Sequence, residues 1–461
     1  MKIAIIMATI LLLILVLFYI IKTKKNTLSN DEKKFTKGTV IELVVLGLLG
    51  TIIGFSVVYK LENYICYALM YLTLSLLILK LSKYDLVSAP MLFLAFYTFI
   101  IGLSPIVLLW YGVTLHFDYY MYVLLPLIFY ALALVICSSI EIKRKKKDTK
   151  KNKFGFIKRK NALRLLLYVS YAASIYFVLK NIDMYINNDI YAGRIDAISG
   201  SGMLVYISQL PIFIIPLFYE MLGKEKEGIK LWEFILYAVA SSISLLVTGF
   251  RAPLILMLMV LTIMFIKKKQ LKQSTIILIA VALIALVFGL DMLRGRNPLN
   301  RIYENGKVND GNPIMVCVYN LNAVTANFPS RIAYQKGYTY LINLKMLKPG
   351  PDLDYTLWLK KKINYEFPGG GVTPTVNGEF YMNFGVVSMY IGFLLLGLLG
   401  FTANELSKKR KYDFFSTYLV VQYFHCISGG IANVMIPVLL MLIVYFAIHI
   451  FSYKGVKKYE Q

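Results

Sequence analysis

The sequence predicts an all-α integral membrane protein with about thirteen transmembrane helices, because apolar runs recur along it at the roughly 20 residues a helix needs to cross a bilayer. Apolar residues make up 58% of the 461 and charged residues 16%, which leaves little for a soluble surface. The charges are also sorted. Of the 50 lysines and arginines, 33 fall in the stretches 22–37, 80–83, 143–160, 224–230, 267–272, 408–411 and 454–458, although the longest intervening connection, 294–378, is far longer than any of them and holds only eleven. Short basic loops near helix ends set orientation, so these stretches are expected to face the cytoplasm.

The predicted spans are 3–21, 39–59, 64–82, 88–111, 119–138, 163–180, 203–221, 231–248, 252–266, 274–293, 380–401, 413–428 and 431–452. The first run is too long for the apolar part of a signal peptide, lacks a small-residue cleavage site and leads straight into a lysine-rich loop, so it reads as a span. An odd number of spans puts the N-terminus outside and the C-terminus inside, in agreement with the charge bias. The chain then divides into 1–293, ten spans with short loops; 294–378, a large outer loop; and 379–461, three spans with a cytoplasmic tail.

Two outer connections are more than turns: Asn181–Gly202 and Arg294–Gly378. In the second, apolar positions at three- and four-residue intervals predict a helix from about Pro313 to Met346. Lys-Pro-Gly-Pro at 348–351 stops it. An amphipathic stretch, Tyr355–Tyr365, follows, and a proline- and glycine-rich turn at 367–374 leads back to the membrane. No internal repeat marks the inverted halves of many secondary transporters.

The net charge of +25 is explained by orientation and by attraction to anionic inner-leaflet lipid; no nucleic-acid-binding module accompanies it. Of four cysteines, only Cys317 and Cys426 could both face outside, and nothing in their spacing demands a disulfide. His116, His425 and His449 are isolated, so no zinc-site spacing exists, and Asp352 with Asp354 is a carboxylate spacing that occurs often by chance. No metal site is predicted.

Ionisable residues within a membrane are costly and mark function by default. Here Glu42, Glu220 and Glu233 fall near cytoplasmic helix ends, whereas Arg251, Asp291 and Glu379 fall at outer ends. Chemistry is therefore expected at the outer surface. Arg251 heads a helix after the glycine turn Thr-Gly-Phe-Arg-Ala-Pro-Leu-Ile (248–255), where it either completes an anion site with the helix dipole or reaches lipid headgroups. Arg294, Arg296 and Arg301 cluster after a helix end and suit either a diphosphate or headgroups. Arg194 and Arg331 are further candidate anion ligands. Glu379 stands at the mouth of an apolar helix, as a base for a hydroxyl nucleophile or as a favourable charge in a first helical turn. Many of the 35 tyrosines fall near the outer face, where an interfacial belt accounts for most.

Three stretches, in this order and topology, resemble the O-antigen polymerase, or oligosaccharide repeat-unit polymerase (Wzy-type), family. The turn at 248–255 looks like the family's Gly-x-Arg turn. Lys-Gly-Tyr-Thr-Tyr-Leu-Ile-Asn-Leu (336–344) looks like its large-loop segment, and Gly-Glu-Phe-Tyr-Met-Asn-Phe-Gly (378–385) looks like its signature entering the next helix. Arg194 departs from the Arg-x10-Gly pattern of some members, since glycines follow it at 200 and 202. The resemblance implies a metal-independent, GT-C-like membrane glycosyltransferase of surface polysaccharide biosynthesis in a bacterial plasma membrane, with no cofactor. Its substrates would be undecaprenyl-diphosphate-linked oligosaccharides on the outer face, with membrane lipids, a chain-length regulator and a flippase as partners and no nucleic acid. Arg251 and Glu379 would be catalytic, and Arg194, Arg294, Arg296, Arg301 and Arg331 would bind substrate. A related ligase shares the architecture but carries a histidine in the large loop, which this loop lacks. A lipid-linked oligosaccharide transporter would need polar residues through the membrane, and here they gather at one end.

Overall fold

The computed structural model describes residues 63–83, 85–106, 117–138, 157–186, 201–222, 228–247, 252–269, 271–272, 274–279, 281–282, 313–347, 355–364, 371–409 and 414–453. The described chain is almost entirely helical. α1 spans Asn63–Leu81 and α2 Ala89–Tyr97, the latter continuing through a π-helical turn, Thr98–Gly102. Ser88 caps α2 by accepting from the N–H of Met91, and Pro90 in the first turn gives up no helical donor. A second π turn, Tyr120–Leu124, leads into α3, Leu125–Cys137. Then follow α4, Arg159–Lys180; α5, Gly202–Ser208; α6, Pro211–Met221; α7, Leu231–Leu246; and α8, Ala252–Lys269.

Next come α9, Pro313–Asn327, and α10, Tyr338–Leu341, which tightens into a 3-10 turn at Ile342–Leu347. α11 is Tyr355–Lys362, α12 Thr375–Phe384 and α13 Val386–Lys409. α14, Phe414–Gly429, and α15, Ile431–Phe451, complete the series.

Six described helical stretches are long and apolar enough to cross a membrane: Ala89–Ile106, Tyr120–Cys137, Arg159–Lys180, Gly202–Met221, Val386–Glu405 and Ile431–Ile448. The chain is thus a multi-pass, all-α membrane protein. The spans expected at 3–21 and 39–59 lie outside the described residues.

Three predicted elements differ. The helix expected over 313–346 ends at Asn327, because Pro329 supplies no amide hydrogen to continue it. The span expected at 203–221 is present as Gly202–Met221, but a turn at Gln209–Leu210, just before Pro211, divides it into two helices. The span expected at 380–401 is instead two helices: α12 begins five residues earlier at Thr375, and Gly385, in a conformation open to glycine at φ +78°, separates it from α13.

α14 sits between two apolar cores and serves both with different faces. Val420, Tyr423, Cys426 and Ile427 join a core with α1, α2, α3 and α13, whereas Phe414, Tyr418 and Val421 join one with α6, α8 and α15. Those sets recur at three- and four-residue steps, the spacing of one helix face. α3 and α13 approach closely because Gly397 offers no side chain where Tyr130 O would be only 2.6 Å from a Cβ. A third core holds the loop helices together: Val324 and Phe328, Ile342, Tyr355 and Leu359, with Tyr381 and Met382 of α12 and Ala432 of α15. All four cysteines are buried and none is in a disulfide, Cys317 and Cys426 included.

The two ends of the bundle are built differently. At one end the start of α4 meets the end of α6 and the start of α7. Arg159 pairs with Glu220 at 3.7 Å, Lys160 with Glu233 at 3.2 Å, and Arg164 with Glu233 as well. Glu220 also accepts from the N–H of Phe414 at the head of α14. A two-residue parallel pairing joins Ile157–Lys158 to Ser452–Tyr453 beyond α15. This is the end rich in basic loops. Glu220 and Glu233, expected near cytoplasmic helix ends, both lie here. At the opposite end stands the loop-helix core, over the start of α15.

Candidate functional site

α12 organises that opposite end. Every residue from Thr375 to Asn383 is buried, although three of them, Asn377, Glu379 and Asn383, are strongly polar. Burying such groups is costly unless they find partners. Each makes hydrogen bonds that tie α12 to a different element, although the Asn377 Oδ1 is buried without a partner among the described residues.

Asn377 faces the bundle. Its amide donates to the Tyr97 hydroxyl at 2.9 Å and to the Tyr122 carbonyl at 2.7 Å, and Tyr97 in turn donates to the Val123 carbonyl at 2.9 Å. Tyr97 immediately precedes the π turn of α2, and Tyr122 lies within the π turn that leads into α3.

Glu379 faces the start of α15. Its carboxylate accepts the N–H of Ile431, the N–H of Ala432 at 3.3 Å to each oxygen, and the Thr339 hydroxyl at 3.2 Å. The first N–H groups of a helix have no partner within it and carry the positive end of its dipole, so a carboxylate is the matching cap. Gly430 permits the contact: it adopts φ +86°, and a Cβ there would collide with the Glu379 carboxyl group. Its N–H caps the end of α14 on the Cys426 carbonyl at 2.8 Å. One glycine therefore ends α14 and clears room for the carboxylate that starts α15. Burial pushes the Glu379 carboxyl up to about 7, opposed by hydrogen bonds from Ile431, Ala432, Thr339 and Tyr355.

Asn383, four residues on and on the same face, locks the loop. Its amide donates to Thr339 Oγ1 at 2.6 Å and to the Glu379 carbonyl at 2.8 Å, while its oxygen accepts the N–H of Gly337 at 2.8 Å. The N–H groups of Gln335 and Lys336 extend the seam by bonding the carbonyls of Met382 and Asn383 at 2.9 and 3.1 Å. Asn343 does the same for the next turn. Its amide donates to Ala432 O and Asn433 Oδ1, both at 3.1 Å, and its oxygen caps α11 through the N–H of Tyr355 at 2.8 Å. The result is a buried polar seam fixing loop helices, α12 and the head of α15 in one register.

The predicted site residues divide accordingly. Glu379 lies at the centre of the seam with no exposed surface. Arg331 is exposed on the loop-helix unit, after α9, and the groups that bond Glu379 include no arginine. Arg194, Arg251, Arg294, Arg296 and Arg301 lie outside the described residues, as do Asp352 and Asp354. Of the turn holding Arg251, only the flanking helices α7 and α8 are described. Tyr185, just beyond α4, donates to the Val247 carbonyl, so the end of α4 and the end of α7 lie together.

Sequence reasoning missed Thr339, Asn343, Asn377, Asn383 and Gly430. A signal existed: Glu379 and Asn383 stand four apart in an otherwise apolar stretch, a spacing that places both on one helix face. Thr339, Asn343 and Asn383 also fall within the two loop stretches that carried the family resemblance.

A family model described as O-antigen polysaccharide polymerase Wzy matches residues 38–459. No curated protein matches the chain, and no solved structure does.

Proposed function

Because the chain belongs to the O-antigen polysaccharide polymerase Wzy family, we propose that it polymerises undecaprenyl-diphosphate-linked oligosaccharide repeat units at the outer face of a bacterial plasma membrane. The growing glycan is transferred from its lipid diphosphate to a hydroxyl of an incoming repeat unit: a new glycosidic bond forms, the bond to the diphosphate breaks, and the hydroxyl proton leaves to a base. The observation that carries this reading is the family match across 38–459, which includes both outer connections and every candidate arginine.

The chemistry needs cations more than it needs an acid, since the leaving group is already a stable anion. We assign Arg251 with Arg294, Arg296 and Arg301 to the diphosphate, where fixed guanidinium groups stabilise charge that grows in the transition state. Arg194 and Arg331 are assigned to outlying parts of the substrate. Two lipid-held substrates confined to one surface also gain orientation before any protein contact is made. The reaction so described is metal-independent and GT-C-like, and it places a flippase before the enzyme and a chain-length regulator beside it.

Glu379 receives a different role from a base in contact with substrate. Its oxygens are occupied by the head of α15 and by Thr339, and it has no exposed surface. We assign it as the positioning carboxylate that holds the loop on the bundle, so that the arginine-bearing segment before α9 has a fixed base. The proton acceptor is left to another group.

The test is a deletion strain analysed for surface glycan. Single repeat units in place of long chains support a polymerase; repeat units held inside point to a flippase, and full-length chains left on the lipid carrier point to a ligase. In the same strain, Arg251→Ala should insert normally and lose polymerisation by about 100- to 1000-fold. Normal chain lengths in that variant would remove Arg251 from the mechanism.

A further inference from the structure

The loop-helix unit carries a second feature that the polar seam does not use. Tyr338 is 42% exposed at the head of α10, and its ring centroid lies 5.9 Å from that of Trp358, midway along α11, with the planes tilted by 56°. Beneath Trp358, the fully buried Tyr355 stacks at 6.3 Å and 21° and braces the indole from the core side. Lys345 donates to the Tyr338 hydroxyl at 2.6 Å, and its ammonium lies 4.9 Å from the ring centroid. Those two distances put the ammonium beyond the hydroxyl edge rather than over the ring, so it does not cover the ring face. Lys361 and Lys362 follow Trp358 by three and four residues, the spacing that brings side chains to one helix face, and both are exposed.

Among the described residues, the exposed charge around these rings has one sign. Among the described residues from 313 to 384, the cations are Arg331, Lys336, Lys345, Lys360, Lys361 and Lys362, and the single carboxylate, Glu379, is buried. A braced aromatic pair with Lys345 at Tyr338 and exposed lysines one turn from Trp358 is complementary to a ligand with flat apolar faces and negative charge. Sugar rings present such faces through their axial C–H groups, and carboxylate or phosphate substituents supply the charge.

We propose that Tyr338 and Trp358, flanked by Lys345, Lys361 and Lys362, form a binding platform for a stretch of acidic glycan, outside the centre where sugars are joined. This rests on the polymerase reading and narrows it: the repeat unit carries a carboxylate or a phosphate. A glycan fits better than a lipid headgroup layer. The exposed side chains one turn beyond Trp358 on α11 are Lys361 and Lys362, rather than apolar groups that would carry the indole into acyl chains. A platform of this kind retains the growing chain between transfers and so lengthens the product.

The test uses full-length protein in phosphatidylcholine nanodiscs, titrated with oligogalacturonate and with a maltooligosaccharide of equal length. Oligogalacturonate should bind at least about tenfold more tightly than the neutral oligomer, and added salt should weaken it. Trp358→Ala should weaken it about tenfold. The double change Lys361→Ala with Lys362→Ala, at two exposed positions, should weaken it several-fold, while Trp358→Phe keeps a flat ring and most of the affinity. Equal binding of acidic and neutral oligomers, or wild-type affinity in the lysine double variant, overturns the proposal. So does a result in which that double variant loses affinity only for nanodiscs containing phosphatidylglycerol, which would make the surface a headgroup site. Binding needs no sugar transfer, so its loss with long chains still made removes the platform and leaves the polymerase. Intact binding in a protein whose deletion leaves chain length unchanged removes the polymerase instead.

Discussion

Replacing Glu379 separates a positioning carboxylate from a catalytic one. In Glu379→Ala the N–H groups of Ile431 and Ala432 lose their acceptor, as does the Thr339 hydroxyl. A buried donor left without an acceptor costs about 1–3 kcal/mol, so the two backbone groups alone amount to about 2–6 kcal/mol. The hydroxyl can turn to another acceptor and adds little. Glu379→Gln keeps the volume and one acceptor oxygen but turns an amide NH2 towards donors, at a cost of about 1–2 kcal/mol. Thermal unfolding of the purified protein and glycan chain length in the complemented deletion strain read the two consequences side by side. Glu379→Ala should lose both stability and long chains. Glu379→Gln should melt slightly lower and keep polymerisation within about tenfold, the rate equivalent of about 1.4 kcal/mol. If Glu379→Gln melts like the wild type yet makes no long chains, the carboxylate itself performs chemistry, and the positioning role is refuted.

The same carboxyl should make stability depend on pH. Its folded-state value, about 7, lies above the ordinary 4.5, so the native protein holds a proton that the unfolded chain releases. Stability from this group is then full below about pH 4.5 and falls by about 3 kcal/mol as pH rises to 7, a slope that Glu379→Gln should abolish in melts taken across that range. Gly430→Ala forces a left-handed backbone on alanine, at about 1–2 kcal/mol, and drives its Cβ into Glu379, so its melting temperature should fall further than backbone strain alone requires. Asn377→Leu keeps the bulk of α12 but leaves the Tyr122 carbonyl without its donor, and should cost about 1–3 kcal/mol in the same assay with no change in its pH slope.

What could be read from residues in order differs from what could not. The helices α1, α4, α7, α14 and α15 start and stop within a few residues of the apolar runs that predict them, since a bilayer imposes one length and one composition on any helix that crosses it. The loop helices α9 and α11 were legible in their apolar spacing, although the proline-directed stop after Asn327 was read one element too late. The start of α12 was not legible. Its first turns carry Asn377 and Glu379, so the hydropathy pattern begins the span only at 380.

The chain alone determined that it is a multi-pass helical membrane protein, which end of the bundle gathers its basic loops, and which family it resembles. Those properties follow from composition, segment length and short motifs, each local to its own stretch. Only the tertiary structure decided what Glu379 touches. Its partners come from Thr339, forty residues earlier, and from the head of α15, more than fifty residues later. A buried charge is defined by the donors around it, and donors from two distant segments meet only once the fold has closed.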